Sequence, residues 1–290
     1  MKIGFVGLGN MGAHMAQNLG KSGHKIFGYD VIKKNLQYVD FQNNIQDACK
    51  NMDVVITMLP DGKALKEVAM QVLPAMLKQK TFIDCSTIDI ETSLFVATKS
   101  KEFKIQNIDA PVSGGIVGAK EGNLTFMVGG NKKAFENIRP LFNIMGKKAV
   151  YCGSNGSGQV AKICNNMILG ATMISTCETI ALADRLGLKR EKLFEVVSTS
   201  SGFSWSMNKY CPAPGIGPLS PADNNYKPGF ASELMLKDLT LSQKAAESVN
   251  SDTPMGKLAL DFYKSFVKKD GGKGYDFSFI LKKFEKSKRN

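Results

Sequence analysis

Apolar residues come in short runs through the first half of the chain and at helical spacing through the second. Runs at 2–6, 25–29, 54–59, 81–85, 105–112, 124–128 and 148–152 have the length of single strands, and segments of helical length separate most of them. Such alternation predicts an α/β domain built on a parallel, doubly wound sheet. After Gly156 the pattern changes. From 157 to about 186 there is no proline, and Gly158 and Gly170 are the only glycines, which predicts one long helix stopped by Gly187. Segments 190–198, 229–249, 254–268 and 277–286 also read as helices. Between them, 210–226 is rich in Pro, Gly and Asn and too long for a plain connector, so a functional loop is expected there. The expected organisation is two domains, 1–161 around the sheet and 162–290 all-helical, joined by the long helix.

Composition narrows the class. With 290 residues, 43% of them hydrophobic and 22% charged, the chain has the material for two packed cores. No uninterrupted apolar run of membrane-spanning length is expected, and the first strand begins almost at Met1, so the reading is cytoplasmic, with no targeting segment and no membrane partner. The six cysteines are scattered, without metal-ligand spacing, and read as reduced thiols; no metal site is expected. Net charge is +12, but the lysines are interleaved with acids, so nucleic acid is not the expected partner. The densest basic cluster, Lys282 to Arg289, reads as a solvated helix end. The only histidines, His14 and His24, both fall in the first βα unit.

Gly7, Gly9, Asn10, Met11 and Gly12 form a Gly-x-Gly-x-x-Gly loop between a strand and a helix, the context a dinucleotide fingerprint requires. The first glycine permits the tight turn, the second admits a pyrophosphate, and the third lets helix and strand pack. This makes the expected sheet domain Rossmann-type. Asp30 ends the second strand at the distance where an acid grips the ribose 2′-hydroxyl, and its charge opposes a 2′-phosphate, so NAD is favoured over NADP. Lys33 and Lys34 leave room for some NADP tolerance. Leu59, Pro60 and Thr87 sit at strand ends on the same sheet edge; position alone does not separate cofactor contact from ordinary turn chemistry. Ser113, Gly114 and Gly115 follow another strand in a compact turn suited to an anion, and equally to a plain turn. Lys162 and Asn166 stand one turn apart on one face of the long helix, where a lysine either snorkels to solvent or is used.

Taken in order, the Gly-x-Gly-x-Met-Gly loop, Asp109-Ala110-Pro111-Val112-Ser113-Gly114-Gly115, the Gly-x-Gly-Gln-x-x-Lys-x-x-x-Asn start of the long helix, and Lys237-Asp238-Leu239 resemble the β-hydroxyacid dehydrogenase family over nearly the whole chain. Pro212-Ala213-Pro214-Gly215, Asn224-Asn225-Tyr226 and Gly229-Phe230 are most similar to its 3-hydroxyisobutyrate dehydrogenase branch. The resemblance implies that Lys162 is catalytic with Asn166 as its partner, and that both touch substrate. It implies that Ser113, Gly114 and Gly115 bind the substrate carboxylate, that Leu59, Pro60 and Thr87 contact the cofactor, and that Lys237 lies by the nicotinamide. Trp205, Tyr226 and Phe230 are open between pocket wall and helical-domain core. Cys85 and Asn123 depart from residues common in the family, away from the proposed chemistry.

The implied reaction is NAD-dependent oxidation of (S)-3-hydroxyisobutyrate to methylmalonate semialdehyde, a step of valine catabolism. Hydride goes to the nicotinamide and the hydroxyl proton goes to Lys162. With the histidines elsewhere, Lys162 is the remaining acid/base candidate. Two alternatives stand beside it. One is an NADPH-dependent semialdehyde or glyoxylate reductase of the same family. The other is a catalytically silent nucleotide-binding module, against which the presence of both Lys162 and Asn166 counts. A homodimer or homotetramer is expected from the surface that the helical domain offers.

Overall fold

The computed structural model describes residues 1–286. Of the basic tail, Ser287, Lys288 and Arg289 lie outside the described residues. Its contacts divide the chain into two compact units, Met1–Lys162 and Ile163–Asn290.

The first unit holds β1 (Lys2–Val6), α1 (Gly12–Lys21), β2 (Lys25–Tyr29), β3 (Val39–Phe41), α2 (Ile45–Cys49), β4 (Val54–Thr57), α3 (Gly62–Val72), β5 (Thr81–Asp84), α4 (Ile90–Glu102), β6 (Gln106–Asp109), β7 (Val112–Ser113), α5 (Gly115–Glu121), β8 (Leu124–Gly130), α6 (Lys132–Met145) and β9 (Gly146–Gly153). The sheet runs β3-β2-β1-β4-β5-β6-β8-β7, with β9 paired to β8. Strands alternate their side chains between the two faces. Ile3 and Phe5 of β1, Ile56 of β4 and Ile83 of β5 join a core with Met15, Leu19 and Phe142. Val6, Val55 and Phe82 point the other way, to Leu65, Val72 and Val96. Helices α1, α5 and α6 thus cover one face, and α2, α3 and α4 the other.

Two details differ from the sheet expected from the sequence. The predicted strand 105–112 breaks at Ala110-Pro111 into β6 and β7, and both pair antiparallel with β8. The connection 114–123 is shorter than the dozen or so residues a parallel crossover needs, so β8 returns antiparallel. The short strand β3, which the sequence did not reveal, extends the sheet beside β2.

The chain builds outward from β1 to β3 and then starts again on the other side with β4. This leaves a switch point between β1 and β4, where open α/β sheets bind ligands. The loops there are held by side-chain caps: Asp61 Oδ1 accepts from Ala64 N, and Asp89 Oδ1 accepts from Thr92 N.

The second unit contains most of α7 (Ser157–Arg185), then α8 (Arg190–Ser198), α9 (Trp205–Asn208), α10 (Ser232–Ser248), α11 (Pro254–Lys268) and α12 (Leu281–Lys286). Pro221–Asn224 and Phe277–Ile280 are short 3₁₀ turns, the first inside the predicted loop and the second replacing the start of a predicted helix. The core gathers Met173, Cys177, Met235, Leu239, Tyr263 and Phe277. Gly170 allows α7 to approach α10, since a Cβ there would come within 3.0 Å of Leu239 Cδ2. Contrary to the sequence reading, α7 is long and apolar enough to cross a membrane, at 29 residues and a mean hydropathy of 1.2 over its most apolar window. Half of that window is buried within the fold.

Candidate active site

The three glycines of the first loop have different reasons to be there. Gly7 has φ +93°, and a Cβ on it would strike the Met58 carbonyl of the neighbouring strand end. A Cβ on Gly12 would strike the Gly7 carbonyl. At Gly9 a Cβ would meet no protein atom within 4 Å. The fold therefore demands the first and third glycines, while the second keeps a space open. Met11, at the N-cap of α1, supplies no side-chain acceptor, and the first turn carries no acid. An uncapped helix start with an open glycine beside it fits a dinucleotide pyrophosphate.

Asp30 supports this loop directly. Its Oδ2 accepts from Leu8 N at 2.7 Å and its Oδ1 from Ile32 N at 2.9 Å. A carboxylate oxygen has a second acceptor direction, so the ribose role expected of Asp30 remains compatible with these bonds. The loop-bracing role was not foreseen.

Leu59, Pro60 and Thr87 share the switch-point edge. Leu59 N donates to Ser86 Oγ at 2.8 Å, and Ser86 Oγ donates to Asp84 Oδ1 at 2.6 Å. Thr57 Oγ1 donates to the same oxygen at 2.7 Å. Asp84 is fully buried; burial pushes its carboxyl up to about 6, with the Asp109 charge adding and these hydrogen bonds opposing. Asp84 and Asp109 are register partners on β5 and β6.

Asp109 anchors the start of α7. Its Oδ1 accepts from Gly156 N at 2.8 Å and its Oδ2 from Gln159 N at 3.2 Å. Burial raises its carboxyl, and the backbone N–H groups partly offset that. The side chain of Gln159, itself 0% exposed, reaches the Thr87 loop: Nε2 donates to Ser86 O at 2.8 Å, and Oε1 accepts from Ile88 N at 3.1 Å. Lys162 follows one turn later and is only 6% exposed, so it is not a snorkelling lysine. Ser113 ends β7, and the left-handed Gly114 (φ +133°) and Gly115 (φ +62°) turn the chain into α5.

Within the second unit, Asn166 is 1% exposed. Its Nδ2 donates to Asp238 Oδ2 at 2.5 Å, and its Oδ1 accepts from Asn165 Nδ2 at 2.9 Å. Asp238 lies 3.4 Å from Lys237 Nζ through its other oxygen. Asn166 and Lys237 are thus linked through Asp238, a residue that stood inside the Lys-Asp-Leu motif without a role. Tyr226 turns out to be core: it is 5% exposed, and its hydroxyl donates to Pro212 O at 2.8 Å. Trp205 is 49% exposed and stacks on Tyr210 at 4.7 Å. Phe230 packs edge-on against Phe277, and its amide donates to Asp276 Oδ2 at 2.9 Å. Asp276 also accepts from Gly229 N and the Tyr210 hydroxyl, and so organises this segment from outside its motifs.

Comparison with known proteins agrees with this geometry. Residues 2–153 match the family described as the NAD binding domain of 6-phosphogluconate dehydrogenase. Residues 156–284 match the NAD-binding domain of NADP-dependent 3-hydroxyisobutyrate dehydrogenase. A 3-hydroxyisobutyrate dehydrogenase of Pseudomonas aeruginosa is 40% identical over 289 residues, covering 97% of each chain. The chain belongs to the β-hydroxyacid dehydrogenase family. This dehydrogenase is an oxidoreductase, and its first unit is an NAD-binding domain. The NAD-dependent L-serine dehydrogenase of Pseudomonas aeruginosa is also similar, 39% identical over 98% of each chain. A solved 3-hydroxyisobutyrate dehydrogenase of Mycobacterium tuberculosis, described with L-serine, superposes with a TM-score of 0.92 at 38% identity over 97% of this chain and 98% of its own.

Proposed function

We propose that this enzyme oxidises 3-hydroxyisobutyrate to methylmalonate semialdehyde with NAD. The observation that carries the reading is Lys162, a lysine only 6% exposed on a helix whose start is bound by Asp109. Ser113 Oγ and the amides of Gly114 and Gly115 bind the substrate carboxylate and fix the hydroxymethyl group. Lys162 Nζ takes the hydroxyl proton, which it can accept only as the neutral amine. Asn166, its carboxamide oriented by Asp238, holds the hydroxyl in line. Gly7, Gly9 and Gly12 with the start of α1 receive the pyrophosphate, and Asp30 the ribose. Leu59, Pro60, Thr87 and Lys237 position the nicotinamide end. NAD, when bound, supplies the hydride acceptor. The family resemblance further supports a cytoplasmic homodimer or homotetramer working in valine breakdown.

A second reading is L-serine as substrate, favoured by the L-serine dehydrogenase relative. L-serine offers the same hydroxymethyl group beside a carboxylate, with an amino group in place of the methyl. Initial rates with (S)-3-hydroxyisobutyrate, L-serine and D-glycerate, each with NAD and NADP, separate the readings. The highest kcat/KM is expected for hydroxyisobutyrate with NAD. A higher value for L-serine, or for NADP, overturns the corresponding part. Lys162→Ala is expected to lower kcat by at least about 10²-fold while NAD still binds; near-normal turnover refutes the role of Lys162.

A further inference from the structure

Gln159 does something unusual for a helical side chain. In a parallel sheet, a residue donates its N–H to the residue before its partner and accepts at its C=O from the residue after. The Gln159 carboxamide makes that same pair of bonds around Thr87, donating to Ser86 O and accepting from Ile88 N. The β5–β6 pairing ends at Asp84 and Asp109, and three residues further on the carboxamide makes one more ladder-like pair of bonds, around Thr87. The backbone of Gln159 is meanwhile tied to β6 through Asp109, and Ser86 is tied through its hydroxyl to Leu59. One buried side chain therefore connects the helix of Lys162 to both cofactor-side loops.

We propose that Gln159 is a positioning residue, holding the Thr87 loop and Lys162 in one fixed relation for hydride and proton transfer. The proposal rests on the reading of Lys162 as proton acceptor. Both hydrogen bonds are required. The donor fixes Ser86 and the acceptor fixes Ile88, so together they hold the backbone on both sides of Thr87. An apolar side chain of equal length fills the space but leaves a buried carbonyl and a buried N–H unpaired.

The test uses Gln159→Glu and Gln159→Met in the full-length enzyme, with kinetics expressed per folded molecule from melting curves at each pH. Ionised Glu accepts from Ile88 N but sets an oxygen against Ser86 O, whereas protonated Glu restores both bonds with the shape of glutamine. Burial raises the pKa of such a glutamate, which brings its titration into the assay range. At about pH 8, kcat/KM of both variants is expected to fall about 10- to 100-fold, since small misplacements of reacting groups have effects of that size. The loss is expected in both KM for NAD and kcat. Toward about pH 6 the Glu variant should recover at least about fivefold relative to wild type, and the Met variant should not. Asp84 and Asp109 titrate in every protein compared, so the ratio to wild type isolates residue 159. Turnover within twofold of wild type for either variant at the higher pH, or an equal pH response of the two, overturns the proposal. If Glu fails to fold, Met decides the question; if neither folds, Gln159 is a fold determinant only and the proposal falls. Lys162→Ala, run in parallel, separates the two claims. Full turnover of that variant beside impaired Gln159 variants refutes the proton-acceptor role alone, and the reverse refutes positioning alone.

Discussion

Replacing Asp84 with asparagine is expected to change how stability depends on pH. Asp84 Oδ1 accepts from Thr57 Oγ1, Ser86 Oγ and Ser86 N, while Oδ2 is buried with no partner. Burial, with the facing Asp109 charge, raises the carboxyl from 3.8 to about 6 in the folded state. The folded protein therefore binds this proton more tightly than the unfolded chain does. The penalty for ionising it is absent below about pH 4, grows as pH rises, and is complete above about pH 6. At 1.36 kcal/mol for each tenfold difference in proton affinity, the full penalty is about 3 kcal/mol. Asparagine keeps the acceptor oxygen and the shape but does not titrate. Between about pH 4.5 and 7.5 the stability of Asp84→Asn relative to wild type should rise by about 2 kcal/mol. Urea unfolding at intervals across that range measures it. The only tryptophan, Trp205, lies in the second unit, so far-UV circular dichroism and hydrogen exchange of β5 are the probes that report on Asp84. A stability difference independent of pH, or one that shrinks as pH rises, refutes the reasoning.

Two further substitutions probe the frame around the site. A Cβ on Gly158 would strike the Met127 carbonyl and come within 2.7 Å of Asp109 Oδ2, so Gly158→Ala should destabilise by about 2–4 kcal/mol, read as a lowered melting temperature. Asp276→Asn puts an amide where one carboxylate serves Tyr210, Gly229, Phe230 and Ser278, and should cost about 2–3 kcal/mol. Hydrogen exchange should quicken first at the amides of Gly229 and Phe230; unchanged protection there refutes the assignment of Asp276 as the organiser of that segment.

Features that depend on neighbours along the chain were legible from the amino-acid order alone. Strand runs such as Val54 to Thr57, the turn forced by Gly7, the long proline-free α7 and the one-turn spacing of Lys162 and Asn166 are local properties of side-chain period and backbone freedom. The motif segments were legible for the same reason. The partners of buried polar groups came only with the packed fold. Asp84 faces Asp109, Gln159 grips the loop around Thr87, and Asn166 gives its amide to Asp238, 72 residues away. The reversal of β8 and the burial of Tyr226 belong to the same class. A buried polar atom must find its complement wherever the packed chain brings one, and sequence spacing carries no record of which distant group that is.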